Sequence, residues 1–197
     1  MRRLKVTMVG TLPPIKAVSD YCLEQTRELA KLADVDFINF AKIYPEWLYP
    51  GGQTTEIDGV FSVGAVEGLR ISNSLKYYSP VSWVRAGLGS KGDVVHLHWW
   101  TSVLGPVFVT YLKLRRKPTV ITIHNVVGHE SGRLDALVSR VVFSLGDRLI
   151  VHTNRNLDRL TCVLGACGER VSVIPHGVYT FYQNELVSEE TARSVLN

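Results

Sequence analysis

Histidines occur at the ends of several short apolar runs in this sequence. His98, His124, His152 and His176 each end or closely follow a run that is typical of a β-strand. Ligands of open α/β sheets bind at the carboxyl ends of parallel strands, so we expect these four side chains at the ligand-binding edge. Polar residues also occur wherever apolar strands end, so position alone gives His152 no role.

The densest polar cluster follows the apolar run Thr119–Ile123 and contains His124, Asn125, His129 and Glu130. A neutral imidazole and an amide can donate or accept hydrogen bonds with ligand hydroxyls. Zinc also takes His and Glu ligands, but this spacing leaves a strand and fixes no geometry, and the HExxH motif is absent. The cluster therefore favours a polar ligand over a metal.

A second group lies at the end of the run before it. His96 and His98 are spaced to share one face of a strand, and no third metal ligand is evident, which favours a structural pair. Trp99 and Trp100 follow. An exposed tryptophan there could stack on a sugar or a base, and a core tryptophan fits the pattern equally well.

Most phosphate-binding and nucleophile motifs are missing. The sequence has no GxxxxGK[ST], no GxGxxG after its first apolar run and no GxSxG. These absences disfavour P-loop nucleotidases, ordinary nicotinamide or flavin enzymes and α/β-hydrolases. A helix N-terminus can hold a phosphate without glycines, and Lys16 is well placed to assist.

Strands and helices alternate along the chain. Consecutive apolar positions, typical of strands covered on both faces, predict strands at Leu4–Val9, Val35–Phe40, Leu69–Ser72, Val94–His98, Thr119–Ile123, Leu149–His152 and Val171–Ile174. A period of 3.6 residues predicts helices at Asp20–Leu32, Pro80–Leu88, Val103–Leu114, Leu134–Leu145 and Asn156–Leu164, with Thr153 or Asn154 as the last N-cap. This order predicts an α/β fold with a doubly wound, mostly parallel, Rossmann-like sheet. Ala41–Ser62 is predicted to be a long loop.

Composition fits a globular protein. The chain has 197 residues, of which 46% are hydrophobic and 20% charged, enough for one domain or slightly more. A net charge of +4 does not by itself indicate nucleic acid. Three scattered cysteines favour reduced thiols in the cytoplasm. The basic stretch Lys113–Lys117 suits a helix C-terminus or contact with an anionic membrane surface.

Four segments, in order, resemble one family. They are Val6–Val9 with the following Gly10-Thr11-Leu12-Pro13-Pro14; Asp93–Trp99, which matches "D-hydrophobic-H-x-H"; Thr119–Glu130; and Val171–Val178, which is close to "VIPNGV/VIPHGV". The sequence resembles the N-terminal domain of retaining GT-B glycosyltransferases of family 4, which includes sucrose and glycogen synthases and many mannosyltransferases.

The resemblance implies two Rossmann-like domains that face a cleft, the first mainly for the acceptor and the second for the nucleotide sugar. It implies sugar transfer to an acceptor hydroxyl with retention at the anomeric carbon and without a metal or other cofactor. His124 matches the histidine that positions the donor sugar, and we expect it to be catalytic. The residues expected to bind substrate are Gly10, Pro14, Lys16, Trp99, Asn125, His129, Glu130, Asn154 and His176. Lys16-Ala17 stands where the family commonly has a Gly-Gly pair.

The resemblance also implies a division of the chain into domains. Residues 1–180 would form the acceptor-side domain, and residues 181–197 would begin the connection to a donor-binding domain, without which the chain would be inactive. The partners would be a nucleotide-sugar donor and a carbohydrate or lipid acceptor, with peripheral membrane contact and no nucleic acid. Two alternatives stay open: a stand-alone module that binds a sugar or lipid head group, and a GT-B-like sugar-nucleotide epimerase.

Overall fold

The chain is built around a seven-stranded parallel sheet. The computed structural model describes residues 2–13, 15, 17–45, 67–115, 117–126, 132–165, 168–179, 188, 191, 193 and 194. The strands are β1 (Lys5–Gly10), β2 (Asp34–Lys42), β3 (Leu69–Lys76), β4 (Val94–Trp99), β5 (Thr119–Ile123), β6 (Arg148–Val151) and β7 (Val171–Val173). Their order is β3-β2-β1-β4-β5-β6-β7, and every neighbouring pair is parallel. The predicted Rossmann-like fold is confirmed.

Among the described residues, five α-helices lie between these strands: α1 (Ser19–Leu32), α2 (Pro80–Gly89), α3 (Gly105–Leu114), α4 (Arg133–Ser144) and α5 (Asn154–Leu164). The helix predicted at Val103–Leu114 is split into a short 3-10 turn, Ser102–Leu104, and α3. Pro106 has no N–H to donate, which suits the first turn of a helix but not its interior. Thr153 caps α5 by accepting a hydrogen bond from the Asn156 backbone N–H at 3.1 Å, so α5 begins earlier than predicted.

The core lies on both faces of the sheet. One face packs Met8 and Phe37 against Cys22 and Leu23 of α1. The other face carries a larger cluster that includes Phe40, Leu97, Trp99, Phe108 and Phe143. Successive helices from α2 to α5 contact one another. The consecutive apolar positions of β1 and β4 are thus explained, because side chains on both faces are buried.

The edge strand β3 departs most from the prediction. It extends to Lys76, beyond the predicted end at Ser72, and most of its residues are exposed. Its pairing with β2 shifts register on either side of Phe40. β2 runs to Lys42, into the predicted loop; residues 46–66 lie outside the described residues, as does most of the predicted C-terminal helix.

The sheet order fixes where a site can form. Strand order reverses between β1 and β4, and the crevice at the carboxyl ends beside such a switch point is the usual ligand site of open α/β sheets. The register aligns His98 of β4 with Thr122 of β5. None of the described helices is both long and apolar enough to cross a membrane.

Candidate functional site

A row of four histidine rings crosses the carboxyl ends of β4, β5, β6 and β7. The ring centroids of His98 and His124 are 5.5 Å apart, those of His124 and His152 are 5.2 Å apart, and those of His152 and His176 are 5.4 Å apart. These separations are close to the spacing of neighbouring strands, so each ring stands beside the ring of the next strand. We call His98, His124, His152 and His176 the histidine row.

Tyr21, in the first turns of α1, packs over the histidine row. Its ring centroid lies 4.7 Å from that of His124, 5.0 Å from His176, 5.1 Å from His152 and 5.7 Å from His98. Tyr21 lies in the predicted helix Asp20–Leu32 and is not among the predicted site residues. The side chain is partly buried, and burial, with smaller contributions from Cys22 and Tyr179, raises the pKa of its hydroxyl to about 12. Tyr21 is therefore an uncharged wall of the site.

Hydrogen bonds orient the rings within the row. His98 Nδ1 and His124 Nε2 are 3.2 Å apart, so one of these nitrogens donates to the other. The His124 backbone N–H donates to the Trp99 carbonyl at 2.9 Å. His152 Nδ1 donates to the Ile174 carbonyl at 2.9 Å, which fixes its tautomer. No described residue hydrogen-bonds His124 Nδ1, and the ring is only partly buried, so this nitrogen is available to a ligand.

Three rings of the row, those of His98, His124 and His152, favour the uncharged form. Burial, with smaller contributions from neighbouring histidines, lowers the pKa of His124 to about 3 and holds that of His98 well below its ordinary value. Burial also lowers the pKa of His152, against the opposing effect of its bond to Ile174. Desolvation disfavours the protonated ring and neighbouring rings repel a second proton, so these three rings can hydrogen-bond with hydroxyls but carry no charge for an anion.

His96 extends the row under His98. Their ring centroids are 4.9 Å apart, and His96 Nε2 and Thr122 Oγ1 are hydrogen-bonded at 2.7 Å. Burial lowers the pKa of His96 to about 4. Within the described ranges, no three His, Cys, Asp or Glu side chains are arranged to hold a metal ion. His96 and His98 thus form the stacked pair that their spacing favours.

Gly10 brings the end of β1 close to the row. A side chain at this position would place its Cβ 3.2 Å from His98 Cδ2 and 3.0 Å from Cys22 Sγ. Two fully buried atoms nearby along the strand ends, His98 Nε2 and Thr11 Oγ1, have no hydrogen-bond partner among the described residues. An unpaired buried polar atom is costly, so this corner has the most to gain from a ligand hydrogen bond.

The other predicted site residues are distributed unevenly. Asn125 is exposed, and its Nδ2 donates to the Trp100 carbonyl at 3.2 Å, beside the row. Asn154 is exposed at the start of α5. His176 ends the row, where its Nε2 accepts from the Tyr179 hydroxyl at 3.2 Å. Pro14, Lys16, His129 and Glu130 lie outside the described residues.

Trp99 is a correction to the predicted set. Its side chain is 1% exposed and packs on the face opposite the row, with ring centroids 5.7 Å from Phe108 and 5.4 Å from Phe143. Because His96 and His98 occupy one face of β4, the residue that follows His98 must point to the other face. It therefore supports the site from beneath and offers no face to a ligand.

These features define a class of protein: one Rossmann-like half of a GT-B architecture, with a polar binding edge at the carboxyl ends of its strands. Residues 18–180 match the family described as Glycosyltransferase Family 4, and the chain belongs to that family. No curated protein matches the sequence.

Solved structures share the fold at low sequence identity. Anabaena Alr3699/HepE in complex with UDP and glucose is 12% identical with a TM-score of 0.60, over 89% of this chain and 45% of that one. UDP-N-acetylglucosamine 2-epimerase from Rickettsia bellii is 15% identical with a TM-score of 0.61, over 100% of this chain and 52% of that one. The chain thus spans about half the length of these structures.

Proposed function

We propose that this chain is the acceptor-side domain of a retaining glycosyltransferase that transfers a sugar from a nucleotide-sugar donor to an acceptor hydroxyl. The proposal assigns residues 1–180 to that domain and residues 181–197 to the connection with a donor-binding domain. Family membership and the GT-B fold support the class of reaction. Donor binding mostly by another domain is consistent with the share of the neighbouring structures that this chain spans.

One observation carries the proposal. His124 lies near the switch point with an uncharged ring, and its Nδ1 has no hydrogen-bond partner among the described residues. A neutral imidazole can donate to or accept from a sugar hydroxyl without binding the departing diphosphate as an ion pair. His98 and Tyr21 hold the ring in place. His124 would therefore position the donor sugar over the acceptor, and His176 and Asn125 would bind hydroxyls at either side.

His98 and His124 cannot stabilise a leaving diphosphate as cations, because burial favours their uncharged rings. Fixed cations or helix N-termini must supply that stabilisation, and we assign them mainly to the donor domain. No metal is needed in this scheme. Anabaena Alr3699/HepE was solved with UDP and glucose and also with UDP-glucose, which makes UDP-sugars the first donors to test. The acceptor would be a carbohydrate or a lipid-linked sugar, met in the cytoplasm or at a membrane surface.

Saturation-transfer NMR on this chain tests the assignment. We expect saturation of acceptor sugars and weak or absent saturation of UDP-sugars. Tight binding of a nucleotide sugar by the chain alone would overturn the acceptor-side assignment.

The epimerase alternative has the same fold, as the Rickettsia bellii structure shows. Product analysis of the complete enzyme separates the two reactions, because epimerisation consumes a nucleotide sugar without an acceptor. A transferase should release nucleoside diphosphate in proportion to a glycosylated acceptor.

A further inference from the structure

A second concave surface lies at the opposite end of the sheet, between β3 and α2. It is a groove of about 640 Å³, within the usual size range of ligand pockets. Its floor includes Asp36 and Ile38 of β2 and Ser72 of β3, and Ser82 and Arg85 of α2 stand on its wall. We call this surface the basic groove.

The basic groove exists because α2 is tied down at its ends. At the start of α2, Trp83 Nε1 donates to the Lys76 carbonyl at 2.7 Å, and the Lys76 N–H donates to Ser82 Oγ at 3.2 Å. Just beyond its end, the Tyr111 hydroxyl donates to Ser90 Oγ at 3.0 Å. Between these attachments the helix leaves most of β3 uncovered.

The lining is strongly biased toward positive charge. Four cationic side chains line the groove: Arg70, Lys76, Arg85 and Lys91. The one acidic residue of the lining, Asp36, is already paired with Arg70, with 3.0 Å between its Oδ1 and the guanidinium Nε. In the described part of the chain, Lys76, Arg85 and Lys91 form no ion pair, which leaves them available to a ligand.

The rest of the lining combines hydroxyls with apolar side chains. Five serines line the groove, at positions 72, 74, 79, 82 and 90, together with Ile38, Ile71, Val81 and Ala86. Its one aromatic residue, Phe37, is 1% exposed, so no ring is offered for stacking on a nucleic-acid base. Cations combined with hydroxyls match a saccharide that carries carboxylates or other anionic groups.

We propose that the basic groove binds an acidic oligosaccharide, as the distal part of the acceptor. Its assignment to the acceptor rests on the proposed function; its binding of the acidic oligosaccharide does not. The groove begins near Lys76 and Ser79, at the carboxyl edge that also carries the histidine row, and continues along α2 to Lys91. A chain whose end lies at the row could therefore extend across the sheet edge into the groove.

The test measures binding of fluorescently labelled tetragalacturonate, a uronic-acid tetramer, to this chain by anisotropy at low salt. We expect binding that weakens roughly tenfold in the triple variant Lys76→Gln, Arg85→Gln, Lys91→Gln. The matched variant Lys113→Gln, Arg148→Gln, Arg159→Gln removes three charges elsewhere and should change the affinity by less than about twofold. Equal weakening by the two variants would show attraction to net charge alone and overturn the proposal.

A shape variant separates a groove from a charged surface. Gly89 lines the groove, and a Cβ atom there would meet no atom within 4 Å, so Gly89→Trp adds bulk from an open position without changing charge. We expect it to weaken tetragalacturonate binding several-fold while thermal melting stays unchanged. If Gly89→Trp leaves the affinity unchanged, the ligand binds elsewhere and the proposal is overturned.

Three competitors test the ligand class. Neutral maltotetraose should not displace tetragalacturonate, and single-stranded DNA or phosphatidylglycerol vesicles should bind more weakly at equal charge. Tighter binding of DNA or vesicles, or no binding of tetragalacturonate, would overturn the proposal. Failure of the transferase assignment would appear differently: groove binding would persist while the complete enzyme transferred no sugar to any acceptor.

Discussion

The histidine row and the basic groove lie at opposite ends of the same sheet and treat charge in opposite ways. The rings of the row contact one another, and burial favours the uncharged form of His98 and His124. The groove is open and cationic, with three basic side chains that have no described acidic partner. The row suits short-range orientation of hydroxyls, whereas the groove suits longer-range attraction that salt weakens.

This difference follows from the neighbours of each region. The row lies under Tyr21 at the binding edge, where desolvation favours the uncharged rings of His98 and His124. The groove lies along an edge strand, whose exposed residues keep their charges at little cost. The two regions should therefore respond to different variables: the stability of the row to pH, and ligand binding in the groove to ionic strength.

Acid should produce the largest effect, mainly through the buried histidines of the row and His96 beneath them. The folded chain holds His96 and His124 at pKa values of about 4 and about 3, below the ordinary value of 6.5, so the unfolded chain binds more protons as pH falls below 6.5. Stability is therefore full above about pH 6.5 and is lost toward pH 4. We expect each of these rings to cost about 2 kcal/mol between pH 7 and pH 5, measured by urea denaturation.

Two variants connect that loss to the row. His96→Gln keeps a hydrogen-bonding group near Thr122 but does not titrate, so its stability should fall less steeply with acid. The triple glutamine variant of the basic groove should keep the full dependence. A wild-type stability that is flat between pH 7 and pH 5 would contradict the neutral, buried row.

The second effect is on transfer by the complete enzyme. Replacing His124 with Ala should lower kcat/KM about 100-fold without changing the fold, because one positioned hydrogen bond to the reacting sugar is lost. His124→Asn places an amide near the Nδ1 position and should recover part of the activity, whereas His124→Gln places it near Nε2 and should recover less. Circular dichroism checks the fold, and unchanged transfer in His124→Ala would remove this residue from the mechanism.

Much of the sheet could be predicted because parallel strands covered on both faces leave consecutive apolar residues, as in β5. The ends of those runs also placed His98, His124, His152 and His176 at one edge. The alternation of side chains along β4 contained one further signal. Because His96 and His98 lie on one face of the strand, Trp99 had to lie on the other face with Leu97, in the core.

Other features depend on tertiary packing that the sequence pattern does not contain. Tyr21 reaches four strands because α1 packs beside the switch point, and nothing in the helical period indicates which rings it meets. The basic groove requires α2 to attach to β3 at its start, through Trp83 and Ser82. The sequence pattern predicted a shorter strand, Leu69–Ser72, and no groove beside it.

Removing the aromatic cover of the row should have a smaller effect. Tyr21→Ala deletes a ring in contact with four histidines and should lower the free energy of unfolding by about 2 kcal/mol, whereas Tyr21→Phe should stay within about 0.5 kcal/mol. Urea denaturation at pH 7 measures both. Tyr78→Ala, an exposed tyrosine near the groove, is the matched control and should cost less than Tyr21→Ala. Equal losses in the two alanine variants would show that Tyr21 is not a packed cover.

The smallest effect belongs to the one carboxylate of the groove. Asp36 pairs with Arg70 across 3.0 Å, but the Arg70 side chain is 81% exposed, so Asp36→Asn should change stability by less than about 1 kcal/mol. The same substitution removes the only negative charge of the lining and releases Arg70 toward a ligand. Tetragalacturonate binding should therefore strengthen about two- to threefold, with a steeper dependence on salt.

Asp34→Asn, at the neighbouring Arg3 pair outside the groove, removes an equal charge and should leave binding unchanged. If both variants strengthen binding equally, the effect depends on net charge alone. The groove would then show no specificity for its ligand, and its contrast with the histidine row would be lost.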